Sequence, residues 1–424
     1  MKLTHSVRTQ ITGLRRFNRS ARLFLLATFI IGITYATWIL FFNLFLLRRG
    51  YDQAFLGQAN TAPALAALLL GFPLGLLSDR IGRKRAMLLG IVLLTLGMGL
   101  QVIFRSSFFI LAMGFLWGMG SSLFFVSQAP FMMKLSDPDN RAMLFSLNFG
   151  LFPLAGVIGN ALAGQLPGLY SRVLGFPTGS AGAYQAVLLT SVIVGALALL
   201  PLLLIREPKA VYAPAHKTRE RASAWRVLTN SLTVRLALPN LLVGFGAALL
   251  IPYMNVYFVK RFAMSDQNLG WLFSASEVFT ALGSFLAPRL SLSLGSHIST
   301  IVLTQSGGIV SLVGLGLSPW VGLAAASFLV RSTLMNMAVP LYDAFSMEQV
   351  HESEQAAVNS VKNLAWNLGG TIGPFVSGLV QQYYGFTPLF IGTSFLYALA
   401  TAFIWFLLRP LEKGNKLPVS SPAS

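Results

Sequence analysis

The chain has 424 residues, 55% of them hydrophobic and only 10% charged, with a mean hydropathy of +0.68. Soluble domains carry about 25% charged residues, so a soluble globular fold is excluded. The 31 basic against 13 acidic residues give a net charge of +18, yet the basic residues fall between apolar runs and read as topology signals, not as a nucleic-acid footprint. With no cysteine in the chain, disulfides, thiol catalysis and cysteine metal sites are impossible. The four histidines, His5, His216, His297 and His351, fall in tails or loops and form no ligand cluster, so neither a metal nor a cofactor is expected.

In chain order, a basic tail over 1–21 leads into an apolar run of about 25 residues, too long for the core of a cleaved signal peptide. It reads as the first anchored helix. Windows long and apolar enough to cross a bilayer fall at about 22–47, 55–77, 86–104, 107–134, 142–166 and 184–205. A second set follows at about 236–258, 268–288, 298–317, 320–347, 356–382 and 386–408. The longest polar interruption, 206–235, separates six predicted helices from six, so the domains expected are bundles over 22–205 and 236–408 with a cytoplasmic linker between them and a C-terminal tail over 409–424. With both termini on one side, that side carries 23 basic residues and the opposite loops six. The asymmetry puts both ends in the cytoplasm.

Between the second and third windows lies Gly75-Leu76-Leu77-Ser78-Asp79-Arg80-Ile81-Gly82-Arg83-Lys84-Arg85. A polar link this short forces an antiparallel hairpin, with its charges held at one membrane face. The two halves also repeat at an offset of 212–214 residues: Asn43, Arg48-Arg49 and Asp52-Gln53 align with Asn255, Lys260-Arg261 and Asp266-Gln267. Ala142, Ser146, Gly156, Gly159 and Gly164 align with Ala356, Ser360, Gly370, Gly373 and Gly378. The second copy of the charged link, around Arg289-Leu290-Ser291 and Gly295, has no aspartate.

The ordered Gly–Asp–Arg–Gly–Arg pattern in that position resembles the hallmark loop of the major facilitator superfamily of transporters. The resemblance covers about residues 20–410 and implies an all-α polytopic membrane protein of twelve transmembrane helices, built as two pseudo-symmetric six-helix bundles with a site between them. It also implies that Asp79 sits at the start of the eleventh helix, near Glu352 to Gln355, that Arg83 pairs with Asp137, and that Arg80 belongs to the same gating set.

A charge inside a span costs a few kcal/mol or more unless paired or hydrated, so Glu277, Arg331, Asp343 and Lys362 stand out. Glu277, about 14 Å into helix 8, shares a polar stripe with Ser274, Thr280 and Ser284 that is expected to face the cavity and to carry proton coupling or cation recognition. Arg331 is a candidate anion site or a partner for Glu277. Asp343 lies about 120° around the helix from Arg331 but shares a face with Asn336, and it either pairs with Lys362 across neighbouring helices or serves in coupling. Lys362 begins a stripe through Trp366 to Gly369 and Gly373. Tyr35 and Trp38 on helix 1, Gln128 on helix 4, and Tyr253 and Asn255 on helix 7 complete the expected cavity lining. Glycines and prolines matched in helices 5 and 11 mark hinge helices.

The superfamily's drug–proton antiporters carry two further motifs, and this chain departs from both. The buried arginine of helix 4 falls at Gly114, and Phe152 replaces a glycine of helix 5. These departures weigh against proton antiport. The expected function is secondary active transport of a small solute by alternating access, first efflux of amphipathic or drug-like compounds, which suit an aromatic cavity with few charges. The alternative is proton-coupled or facilitative uptake of a sugar or organic anion. The expected protein is not an enzyme. It is a monomer in a bacterial inner membrane, with a small-molecule substrate, the lipid bilayer and the proton as partners.

Overall fold

The computed structural model describes residues 17–206, 230–351 and 354–414, all helix and short connections with no strand among them. The first six long helices are α1 (Arg19–Arg48), α2 (Gln53–Ile81), α3 (Arg83–Ile103), α4 (Ser107–Leu135), α5 (Pro138–Leu174) and α6 (Ala181–Leu197, continued by Leu199–Leu204). The second six are α7 (Ser231–Leu250), α8 (Asp266–Leu294), α9 (His297–Leu317), α10 (Val321–Glu348), α11 (Gln355–Tyr384) and α12 (Thr387–Phe403). Eleven of these helices are long and apolar enough to cross a membrane. The other, α11, is 30 residues long but spends one side on Asn359, Lys362, Asn363 and Asn367.

Polar side chains start the helices, as unpaired first-turn amides require. Asn18 accepts from the Ala21 amide at 2.7 Å, and its own amide donates to the Leu135 carbonyl at the end of α4 at 3.1 Å. Asp52 accepts from Phe55 at 2.8 Å, and Ser180 and Asn230 cap α6 and α7 in the same way. At α5 Pro138 takes the first position, and the Asp137 amide donates to Asn140 Oδ1 at 2.9 Å.

Three helices differ from their predicted windows. Helix α5 has 37 residues, about 55 Å at 1.5 Å per residue against a hydrocarbon core of about 30 Å, so its capped start lies beyond the apolar window. Helix α7 breaks at Pro252, which has no N–H for the ladder. A short 3₁₀ turn, Ile251–Tyr253, leads into a further helix, Met254–Phe262. Helix α12 widens into a π turn over Ile404–Leu408 before Arg409–Gly414.

The helix contacts repeat between the halves. Helix α1 packs on α5 and α6, and α7 packs on α11 and α12; α3 packs on α4 and α6, and α9 on α10 and α12. Lipid tails are as apolar as the side chains, so close packing and small residues hold such helices together. Contacts divide the chain into two compact units. One holds α1–α6 together with Pro252–Val278, and the other holds the first part of α7 and the chain from Phe279 onward. The broken end of α7 and the first half of α8 therefore pack with the first six helices. The tail to residue 16, the linker over 207–229 with His216, Glu352, and the tail beyond residue 414 lie outside the described residues.

Candidate functional site

In the first unit, α1, α4 and α5 bring six aromatic side chains together. The Tyr35 ring lies 6.0 Å from Trp117, 5.8 Å from Phe125 and 5.9 Å from Phe152. Trp38 stacks on Phe42 at 4.7 Å and meets Trp117 edge-on at 6.4 Å. The buried Trp117 indole N–H has no hydrogen-bond partner among the described residues. Burying such a donor is costly, which makes it a position awaiting an acceptor. Sequence reasoning chose Tyr35 and Trp38 but not Trp117, although Trp117 lies three residues after Gly114 in helix 4. Gln128 lies elsewhere on α4, its amide 3.4 Å from the Thr28 hydroxyl.

The Pro252 end of this unit is closed by polar contacts. Asn43 donates to the Pro252 carbonyl at 2.7 Å, a carbonyl set free where the helix breaks. Asn255 donates to the carbonyls of Leu40 at 2.9 Å and Ile39 at 3.1 Å. The two asparagines matched by the sequence repeat thus reach across to each other's helix. Asn60 supports Asn43 Oδ1 at 2.8 Å. Nearby, Tyr184 donates to Asp266 at 2.7 Å, Ser274 donates to the Val157 carbonyl at 2.8 Å, and α5 and α8 touch at Gly164 and Gly270. A Cβ on Gly270 would fall 2.7 Å from the Gly164 Cα. The side chains of Tyr253 and Asn255 are buried here. The α8 stripe begins the same way: Ser274 and Glu277 lie against α5, with Glu277 packed over Gly156. Among the described residues of its unit Glu277 makes no ion pair.

The charged link is tighter than its sequence suggests. Helix α2 runs to Ile81 and α3 starts at Arg83, so Gly82 alone makes the reversal, with φ +92° and ψ 144°. A side chain is strongly disfavoured in that conformation. Asp79 therefore sits in the last turn of α2, where Arg83 reaches back to it and also donates to the Ser78 hydroxyl at 3.0 Å. The expected Arg83–Asp137 pair is not formed: Arg83 is held locally, because the one-residue reversal brings it within a helical turn of Asp79. Asp137 instead starts α5. Arg80 is exposed on the same turn. Lys84, which sequence reasoning did not select, donates to the carbonyls of Leu203 at 2.9 Å and Ile205 at 2.6 Å, at the end of α6.

In the second unit a cavity of about 340 Å³ is lined by residues of α7, α9, α10, α11 and α12, among them Asn240, Gln305, Asn336, Asp343, Asn363 and Trp366. Asn336 and Asp343 share this face as their spacing predicts, and Arg331 does not line it. Lys362 donates to Asp343 at 2.8 Å; the lysine side chain is 1% exposed and the carboxylate 59%. The Lys362 ammonium also lies 5.0 Å from the Tyr342 ring centre. Arg331 is buried and donates to the Tyr397 hydroxyl on α12, while its Nε has no partner among the described residues. Tyr397 escaped sequence reasoning because nothing in its apolar surroundings signals a partner 66 residues away.

Solved structures of similar fold include a bacterial homolog of the human lysosomal transporter Spinster in an inward-facing, occupied conformation. Its TM-score is 0.78 at 16% identity, covering 94% of this chain and 98% of that one. A D-xylose-proton symporter gives a TM-score of 0.70 at 13% identity, covering 91% and 97%. Among sequence relatives, the chromaffin granule amine transporter of Rattus norvegicus is 25% identical over 378 residues, covering 86% of this chain and 68% of the relative. The multidrug resistance protein MdtG of Dickeya zeae is 25% identical over 359 residues, covering 82% of each. The description of the Major Facilitator Superfamily matches residues 23–238 and 236–423. The chain belongs to the Major Facilitator Superfamily and is an integral membrane transporter, not an enzyme.

Proposed function

We propose that the protein exports amphipathic, drug-like compounds by alternating access. The observation that carries this reading is the aromatic cluster of Tyr35, Trp38, Phe42, Trp117, Phe125 and Phe152, with a buried indole donor lacking a partner. Broad aromatic surface with one or two fixed polar atoms suits apolar ligands that differ in shape. The multidrug relative, similar over 82% of the chain, agrees with this. The neighbours of 13–17% identity speak for the fold alone. Bacterial relatives and the loop charges favour an inner membrane with both termini cytoplasmic.

Proton drive is assigned to Glu277, a carboxylate half-buried against α5 with no ion pair in its unit, which can take up and release a proton as access alternates. The test is dye accumulation in cells stripped of their own exporters. Cells making the protein should hold several-fold less of a neutral amphipathic dye, and Trp117→Ala should return accumulation to the control level. Glu277→Gln should keep counterflow while removing the pH dependence of active export. Dye levels unaffected by the protein, combined with gradient-driven entry of a sugar or organic anion, would overturn the export reading.

A further inference from the structure

The α10–α11 pair has an asymmetry that decides which charge a ligand would meet. Lys362 is enclosed, held between Asp343 and the face of Tyr342, and does not line the cavity. Asp343 lines the cavity and is more than half exposed there. The carboxylate is thus presented and its counter-ion is withheld. Around it stand Trp366, 42% exposed in the same wall, and Asn336, whose amide nitrogen is already spent on the Ser332 carbonyl at 2.8 Å, leaving its oxygen as an acceptor. A carboxylate, acceptor oxygens and an open indole face complement a cation with an apolar body. An anion would need a presented cation, and both candidates in this unit are occupied elsewhere: Lys362 behind Asp343, and Arg331 on Tyr397 outside the cavity.

As a refinement of the export reading, we infer that this cavity recognises an organic cation through Asp343, and that Lys362 is the resident counter-ion the ligand displaces. The lysine has somewhere to go. The Tyr342 ring is fixed by its hydroxyl, which donates to the Leu236 carbonyl at 2.7 Å, and a ring face can hold an ammonium released from its carboxylate. Resident and incoming cations therefore compete for one carboxylate. An empty site does not leave Asp343 without a counter-ion, and a bound ligand does not leave Lys362 stranded.

Competition makes an uncommon prediction: removing a positive residue from the site should strengthen binding of a positive ligand. The experiment is calorimetric titration of the purified full chain with benzyltrimethylammonium, its neutral isostere neopentylbenzene, and benzylsulfonate. The cation should bind, and the sulfonate should not. Lys362→Gln should bind the cation about fivefold tighter, the change that corresponds to releasing a half-exposed ion pair worth about 1 kcal/mol. The double change Asp343→Asn with Lys362→Gln removes both charges together, so it should melt like the wild type yet lose the cation's advantage over the neutral isostere. A purely bracing pair would give the opposite pattern, in which Lys362→Gln lowers the melting temperature and leaves cation affinity unchanged or weaker. That result, or sulfonate binding abolished by Lys362→Gln, overturns the inference. The cellular assay separates its failure from that of the export reading. Export of a neutral dye without cation binding leaves export standing and removes Asp343 recognition, whereas cation binding coupled to uptake does the reverse.

Discussion

The α2–α3 corner and the α8–α9 corner stand at matching places in the repeat, yet each is tied to the last helix of its own half by the opposite charge. In the first, Lys84 donates to the terminal carbonyls of α6, Leu203 and Ile205. In the second, the chain just past α12 supplies Glu412, which accepts from the amides of His297 at 2.5 Å and Ile298 at 3.2 Å and from the Ser296 hydroxyl at 2.5 Å. Lys84 and His297 are 213 residues apart, within the repeat offset. A cation on the carbonyl end of one helix and a carboxylate on the amide end of another both satisfy groups that a helix leaves open. What the repeat preserves is the contact between the helices. The charge that makes the contact is free to change sign, as long as it moves to the other helix of the pair.

The largest expected effect separates the corners by function. Asp79→Asn should leave expression and melting near wild type and cut transport by tenfold or more, since Asp79 holds Arg83 across the one-residue reversal of the link. Leu292, the matching position in the second corner, is 81% exposed, and Leu292→Asn should transport normally. Full transport by Asp79→Asn would make the corners equivalent. Next comes backbone strain. Gly82→Ala forces an extended conformation with φ +92° on a residue with a side chain and should cost on the order of 3 kcal/mol. Gly295→Asn, at φ +61°, asks only for a left-handed residue that asparagine adopts readily and should cost under about 1 kcal/mol. Parallel unfolding titrations in detergent would show both. Smallest is the comparison of the charges themselves. Glu412→Gln should lower stability by about 2 kcal/mol, because an ionised acceptor of several donors is lost, and Lys84→Met by about 1 kcal/mol. Equal losses from the two would mean that the sign of the tie does not matter energetically.

Much of this is legible in the sequence. Apolar windows located every long helix, and Asn43 matched Asn255 by offset because a repeat keeps residues that bond across it. The face shared by Asn336 and Asp343 followed from their seven-residue spacing, and the Asp343–Lys362 pair was one of two readings left open. The remainder depends on long-range placement or on local geometry that a window blurs. Arg83 is expected to pair with Asp137, whereas a one-residue reversal puts it beside Asp79. Glu412 looked like a tail residue, since nothing in its neighbourhood announces three donors more than a hundred residues away. The Ser274–Glu277 stripe was placed from helical phase alone, which fixes the side of a helix but not which neighbour lies against that side.

The crossed asparagines at the Pro252 end carry a consequence for robustness. Three hydrogen bonds, one from Asn43 and two from Asn255, join residues 39–43 to residues 252–255, and the one from Asn43 is donated into the backbone that bends at Pro252. At about 1 kcal/mol apiece the three together favour the joined arrangement by on the order of a hundredfold. The donors stand on opposite sides of the contact, so the loss of either side chain leaves the bonds of the other in place. A join built from both sides tolerates damage to one of them.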